Sequence, residues 1–135
     1  MRPTASATVL FALACVASCG TAVPPTPPVP DSAPPLVVLD AYLSALLDGD
    51  CPRSRTLETA SFAATGSDFC IWFQTTAYEI NPNMATPADG KVEFDAQVTT
   101  RGGNFTLPDG SHTMFFPLDR QATGAWRVAG GGTGP

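Results

Sequence analysis

The side chains with the greatest capacity for chemistry in this sequence are four cysteines and a single histidine. His112 could serve as a general base, because imidazole titrates near neutral pH. It follows a Pro-Asp-Gly turn at 108–110 and shares the phase of Met114 and Phe116 on a predicted strand. The imidazole could therefore face the mouth of a pocket, or it could be an ordinary strand-end side chain at the rim of the fold.

The charge of the chain excludes two kinds of partner. The net charge is −5, the sequence pI is about 4.5, and only 14% of the residues are charged. A nucleic-acid-binding protein is expected to carry a basic patch or stripe, and docking on anionic lipid through protein charge needs a Lys/Arg cluster. We expect no nucleic-acid partner, and any attachment to a membrane must come from something other than basic side chains.

The N-terminus has the pattern of an export signal. Arg2 supplies a short positive segment, and residues 4–17 form an uncharged apolar run. At about fourteen residues this run is too short to span a bilayer, which needs roughly twenty, but it fits the apolar region of a secretory signal peptide. The run ends in Val16-Ala17-Ser18-Cys19, which resembles the lipobox of bacterial lipoproteins.

The lipobox resemblance implies cleavage before Cys19 and a diacylglyceryl thioether on its sulfur, often with a further acyl chain such as palmitate on the new amino group. Two acyl chains give stable anchoring in a membrane. An ordinary signal peptide cut elsewhere and an uncleaved anchor helix are the alternatives. We divide the chain into a signal peptide (1–18), the lipidated cysteine with a proline-rich tether (19–35), and one folded domain (36–135).

The tether contains seven of the fourteen prolines of the chain within residues 20–35. Proline fixes φ and removes backbone donors, so this stretch is incompatible with a helix interior or a central strand. We expect a polyproline-like spacer that reaches about 50 Å when fully extended and lifts the domain above the lipid headgroups.

The cysteines that remain after processing are expected to pair. If cleavage removes Cys15 and lipidation uses Cys19, then Cys51 and Cys70 are left in an oxidising compartment, where disulfides persist. We predict a Cys51–Cys70 disulfide that contributes about 3 kcal/mol of stability; two buried free thiols are the alternative. Two thiols and His112 fall short of the four ligands of a closed zinc site, so we expect neither a metal nor another cofactor.

Helical patterns come first in the folded domain. Residues 36–48 carry apolar pairs at i, i+3/4 and i+7, which is typical of one buried helix face, and Gly49 ends the pattern. Asp50 is predicted to cap a second helix that runs to about Ala60. Residues 61–67 are expected to form a single turn or a loop.

Strand patterns follow the helical ones. Residues 91–100 alternate, with Val92, Phe94, Ala96 and Val98 on the apolar face, which is typical of a half-buried strand. Further strands are predicted at 70–80, 111–119 and 125–128. Helices followed by antiparallel strands indicate an α+β fold, with N-terminal helices packed on one face of a curved antiparallel sheet of about four strands.

The order of these elements resembles the NTF2-like (SnoaL-like, cystatin-superfold) lipoproteins of actinobacteria. The resemblance spans most of residues 36–134, and its motifs are structural. They are Tyr42-Leu43, Gly49-Asp50-Cys51, Trp126-Arg127-Val128 and the glycine-rich end of the chain. Membership would imply a cone-like fold with a pocket between helices and sheet, but no particular activity, because one fold hosts many functions.

Enzymes of the NTF2-like family use a pocket carboxylate or histidine that faces Tyr or Asp donors. The resemblance therefore makes Tyr42, Tyr78 and Asp40 conceivable partners of His112. No catalytic motif of the family maps onto these positions, and both tyrosines could equally be structural. The sequence identifies no ligand-binding residue.

Our leading hypothesis is a non-catalytic lipoprotein on the extracytoplasmic face of the cell membrane. It would bind a small apolar ligand or an envelope protein. The alternatives are an isomerase- or hydrolase-type enzyme that uses His112, and an interaction module for a neighbouring membrane complex.

Overall fold

The computed structural model describes residues 25–66, 68–83 and 89–134. The predicted signal peptide and the predicted lipidation site at Cys19 lie outside this part of the chain. The described residues form helices and then strands, in an α+β arrangement. In chain order they are α1 (Pro35–Asp48), α2 (Cys51–Thr56), α3 (Ala60–Ala64), α4 (Phe69–Trp72), β1 (Gln74–Ile80), β2 (Lys91–Arg101), β3 (Gly110–Arg120) and β4 (Trp126–Val128).

The four strands pair antiparallel in the order β1-β2-β3-β4 and curl into a half-barrel. Alternation decides which side chains face inward, since successive strand residues point to opposite faces. Phe94 of β2 lies opposite Phe116 of β3 in the register, and both are buried. The predicted α+β fold with a curved antiparallel sheet is confirmed.

Helix α1 covers the concave face of this sheet. Its apolar side is buried, and Tyr42 packs edge-on against Phe116 with ring centroids 6.3 Å apart. Pro35 occupies the first turn, where its missing N–H costs nothing. Gly49 ends the helix in the left-handed conformation, with φ of 68°, and its N–H bonds to the carbonyls of Ala45 and Leu46. The predicted helix at 36–48 is therefore present.

The second helix is shorter than the sequence pattern indicates. Asp50 caps it as expected, because its side chain accepts a hydrogen bond from the Arg53 amide. The helix ends at Thr56 because the next residues pair with β4 instead. The Val128 amide donates to the Leu57 carbonyl at 2.8 Å, and the Thr59 amide donates to the Val128 carbonyl at 2.8 Å.

Two short helices replace parts of the predicted loop and strand. Thr59 caps α3 by accepting from the Phe62 amide, so residues 60–64 form a short helix where the sequence left a single turn or a loop open. Asp68 caps α4 in the same way through the Cys70 amide. The strand predicted from residue 70 therefore begins only at Gln74.

The end of the proline-rich tether packs on the domain. Ala33 is only 6% exposed and belongs to the core, and Val29 packs against the core as well. An ion pair joins Asp31 to Arg127 of β4, with 3.1 Å between Oδ1 and Nη2. The chain is thus held against the domain before α1 begins, which shortens the spacer that the sequence predicts. Within the described ranges, no helix has the length and apolar character needed to cross a membrane.

Candidate functional site

An apolar pocket of about 340 Å³ opens between α4, the loop that joins β2 to β3, and the C-terminal tail, residues 130–134. None of the residues that line it is titratable, and its volume falls within the range of small-molecule sites. The lining residues are Phe69, Trp72, Phe73, Asn104, Thr106, Leu107, Met114, Gly131, Gly132 and Thr133. We call this cavity the apolar pocket.

Aromatic rings form one wall of the apolar pocket. Phe69 lies at the centre of the group, with its ring centroid 5.9 Å from Phe62, 5.5 Å from Phe73 and 6.4 Å from Trp72. Such tilted and edge-on contacts are the favourable arrangements for aromatic pairs. The wall therefore has a defined shape on its inner side, while Trp72 remains 47% exposed at the mouth.

Helix α4, which carries this wall, is only four residues long and depends on contacts beyond its own hydrogen bonds. The Cys51–Cys70 disulfide joins it to α2, with Cα atoms 5.4 Å apart. The Arg55 guanidinium forms an ion pair with Asp68, the residue that caps α4. The predicted disulfide is present, and it holds one wall of the apolar pocket in place.

The loop between β2 and β3 forms a second wall, and short polar side chains set its shape. Asn104 Oδ1 accepts from the amides of Thr106 and Leu107 at 2.9 and 3.1 Å. Asp109 Oδ1 accepts from the Gly102 amide at 2.7 Å. These bonds orient Leu107, which is 9% exposed, into the apolar pocket.

The C-terminal tail closes the third side and leaves no room for side chains. It pairs with β3, since the Phe115 amide donates to the Gly132 carbonyl at 2.8 Å. A Cβ placed on Gly131 would lie 2.4 Å from Phe69 Cε2 and 3.1 Å from Phe116 Cε1. Sequence reasoning did not identify Gly131 as a site residue, although the run of three glycines that begins two residues after β4 was a visible signal.

His112 lies on the inward-facing side of β3, opposite Val98, as its phase in the sequence predicts. Its Nε2 is 2.7 Å from the Pro108 carbonyl oxygen, and it must donate because a carbonyl oxygen only accepts. The imidazole is not among the groups that line the apolar pocket, although Met114, two residues further along β3, is.

The two tyrosines have acidic partners of their own. The Tyr42 hydroxyl donates to Glu58 Oε1 at 3.2 Å, and the Tyr78 hydroxyl donates to Asp40 Oδ1 at 3.0 Å. The structure thus brings Tyr78 and Asp40 together but hydrogen-bonds neither tyrosine to His112. Glu58 was not singled out from the sequence, because nothing in its neighbours signals a partner sixteen residues away.

Burial governs the acid–base properties of these pairs. The pKa of Tyr42 is raised far above its usual value, first by desolvation and then by the charge of Glu58. Desolvation likewise raises the pKa of Glu58, although the hydrogen bond from Tyr42 opposes the change. At the α1–β1 contact, burial and the bond to Asp40 raise the pKa of Tyr78 to about 12. Both tyrosines therefore stay protonated at neutral pH and serve as hydrogen-bond donors.

In the part of the chain that the structure covers, no three His, Cys, Asp or Glu side chains are grouped so that they could hold a metal ion.

Comparison with known proteins identifies the fold. No family model matches the chain, and a search among curated proteins finds no match. Among solved structures, an NTF2-like protein of unknown function from Shewanella baltica OS155 is similar, with a TM-score of 0.51 at 13% identity over 74% of this chain and 90% of that chain. At this identity the similarity concerns the fold alone. The chain therefore folds as an NTF2-like α+β cone.

Proposed function

We propose that this protein is a lipoprotein, anchored through Cys19 on the extracytoplasmic face of the cell membrane, whose apolar pocket binds a small uncharged ligand without catalysing a reaction. The observation that carries the binding role is the pocket itself, which has an aromatic wall and no titratable lining residue. The lipobox-like end of the N-terminal apolar run supports the anchor.

The lining defines the chemistry of the ligand. Burying hydrocarbon against Phe69, Leu107 and Met114 is favourable by about 0.8 kcal/mol per CH₂ group. An ionised ligand would lose its hydration and find no opposite charge among the lining residues, which is strongly unfavourable. Asn104 and Thr133 are polar but uncharged, so they suit at most a hydroxyl, ester or amide group on an otherwise apolar molecule.

The alternative of an enzyme that uses His112 receives less support. The imidazole donates from Nε2 to the Pro108 carbonyl and does not line the apolar pocket. A general base must reach its proton within hydrogen-bond distance or through one water. A His112→Ala variant that complements a gene deletion as well as the wild type would exclude this alternative.

Native mass spectrometry of the protein from its own membranes tests the proposed function. After removal of the detergent, the anchor predicts a chain that begins at Cys19 with diacylglyceryl and acyl additions. The binding role predicts a further non-covalent mass, which Trp72→Ala should reduce severalfold because that side chain lines the pocket.

Leu47→Ala provides the control for this experiment, since Leu47 is another exposed apolar residue but lies on α1, away from the apolar pocket. It should retain the bound mass. A wild-type protein that carries no such mass would refute the binding role, and an unmodified Cys19 would refute the anchor.

A further inference from the structure

Exposed apolar residues line the apolar pocket or adjoin its lining residues in the chain. Trp72 lines the pocket and is 47% exposed, and its neighbour Ile71 is 67% exposed. Phe105 is fully exposed at 103%, between two residues that line the opposite wall. We call Ile71, Trp72 and Phe105 the apolar rim.

The N-terminal segment reaches the domain beside α2, the helix that the disulfide joins to α4 and so to part of this rim. Residues 25–29 lie along a cleft whose other side includes Asp50 and Pro52, on either side of Cys51 in the chain. The disulfide places the Cα of Cys70 5.4 Å from that of Cys51. Because consecutive Cα atoms are 3.8 Å apart, the Cα of Ile71 lies within about 9 Å of the Cα of Cys51.

The chain between the proposed anchor and the described residues is short. Five residues, 20–24, separate Cys19 from Pro25, and fully extended they could span about 21 Å. A tether of this length keeps Pro25, and with it the cleft lined by Asp50 and Pro52, within about 21 Å of the anchor.

Charge near the rim does not oppose contact with lipid. Asp68, which caps α4 beside Ile71 and Trp72, is paired with Arg55. Tryptophan is the side chain most characteristic of membrane interfaces, where its ring lies at the level of the headgroups.

We propose that the apolar rim rests in the membrane interface and that the apolar pocket behind it takes a hydrocarbon chain of a membrane lipid. This inference rests on the proposed function, because it requires the anchor at Cys19. With the apolar rim in the membrane interface, the mouth of the apolar pocket opens to lipid and not to water. An acyl chain can then pass from the bilayer to the aromatic wall without crossing solvent. The ligand class is therefore an acyl lipid and not a water-soluble metabolite.

Fluorescence quenching by brominated lipid tests the proposal. The chain has two tryptophans, so Trp126→Phe leaves Trp72 as the only reporter in the full lipidated protein. In phosphatidylcholine vesicles, replacing the lipid by its dibrominated form should reduce the Trp72 emission at least twofold. The reciprocal variant, Trp72→Phe, reports on Trp126, which packs against the core and should lose much less.

A second variant tests the rim as a unit. Phe105→Asp alters a fully exposed side chain, so the fold should be preserved, and it should reduce the quenching of Trp72 severalfold. Leu47→Asp, at another exposed apolar position, should leave the quenching unchanged. Equal quenching in the two variants would contradict the rim as defined.

The quenching experiment distinguishes a failure of the rim proposal from a failure of the anchor at Cys19. The vesicles carry only protein whose lipidated Cys19 has been verified by mass. Trp72 emission that is unaffected by bromine would then refute the rim proposal and leave the anchor intact. If Trp72 in native membranes is shielded from aqueous acrylamide yet is not quenched by brominated lipid, a protein covers the rim and the proposal is wrong.

Discussion

Adding one methyl group at Gly131 tests how tightly the C-terminal tail packs against the apolar pocket. In Gly131→Ala the new Cβ would lie 2.4 Å from Phe69 Cε2, whereas ordinary contact begins at 3.4 Å. The ring would have to retreat by about 1 Å. It cannot do so freely, because Phe69 is 7% exposed and packs against Phe62 and Phe73.

The expected cost follows from these contacts. Overpacking a core typically costs about 1–3 kcal/mol, and replacing glycine by alanine returns about 0.4–1 kcal/mol by restricting the unfolded chain. We therefore expect Gly131→Ala to lower the free energy of unfolding by about 1–2 kcal/mol. In urea denaturation followed by tryptophan fluorescence, the midpoint should fall by about 1 M.

Gly132→Ala is the matched control for this prediction. A Cβ at Gly132 meets no atom within 4 Å, so its stability should equal or slightly exceed that of the wild type. Equal midpoints for the two variants would refute the close packing of Gly131 against Phe69. The displaced ring should also reduce the amount of ligand that Gly131→Ala binds.

Three further substitutions test other contacts of the fold. Replacing Cys51 and Cys70 together by serine should lower the free energy of unfolding by about 3 kcal/mol, since the bridge closes a loop with a sequence separation of 19; thermal denaturation measures the loss. Thr75→Val should raise stability by about 1 kcal/mol, because the buried Thr75 Oγ1 has no hydrogen-bond partner among the described residues; urea midpoints measure the gain. The wild type should lose stability as pH rises above 4.5, the ordinary pKa of the Glu58 carboxyl, and Glu58→Gln should lack the share of this loss that comes from Glu58. Burial raises the pKa of Glu58 in the folded state, so its contribution to stability is full below that value and declines as pH rises through the raised pKa; urea midpoints at pH 4 and pH 7 measure the change.

Controls exist for each of these substitutions. Thr100→Val removes a hydroxyl that donates to the Pro108 carbonyl at 3.0 Å, so it should destabilise where Thr75→Val stabilises. Reducing the wild-type disulfide should reproduce the effect of the double serine variant. An unchanged pH slope in Glu58→Gln would show that Glu58 does not titrate differently in the folded and unfolded chains.

The sequence predicted the elements in which local pattern and tertiary packing agree. Helix α1 has one apolar face, proline before it and glycine after it, and strand β2 alternates at every position. The elements that differ are those in which a long-range contact overrides the local pattern. The α2 helix stops at Thr56 because Leu57 and Thr59 gain backbone partners on Val128, about seventy residues away in the chain.

The candidate site was less predictable than the fold, for a related reason. The disulfide could be anticipated, because two cysteines were left for one pair. Gly131 could not, because its role depends on the position of Phe69, which falls between the turn or loop predicted at 61–67 and the strand predicted at 70–80 and lies instead in α4. His112 was placed on the correct face of β3, but only the loop geometry shows that the Pro108 carbonyl accepts a hydrogen bond from its Nε2.

The double contact of the C-terminal tail joins two properties that are usually separate. One short run of glycines both completes the hydrogen bonding along β3 and forms part of the cavity lining. A molecule that fills the apolar pocket binds only while the C-terminal tail is paired with β3. Binding therefore shifts the equilibrium of the tail towards the paired form. The Phe115 amide, which donates to the Gly132 carbonyl, should accordingly exchange its hydrogen more slowly in the occupied protein than in the empty one, which makes that amide a reporter of occupancy.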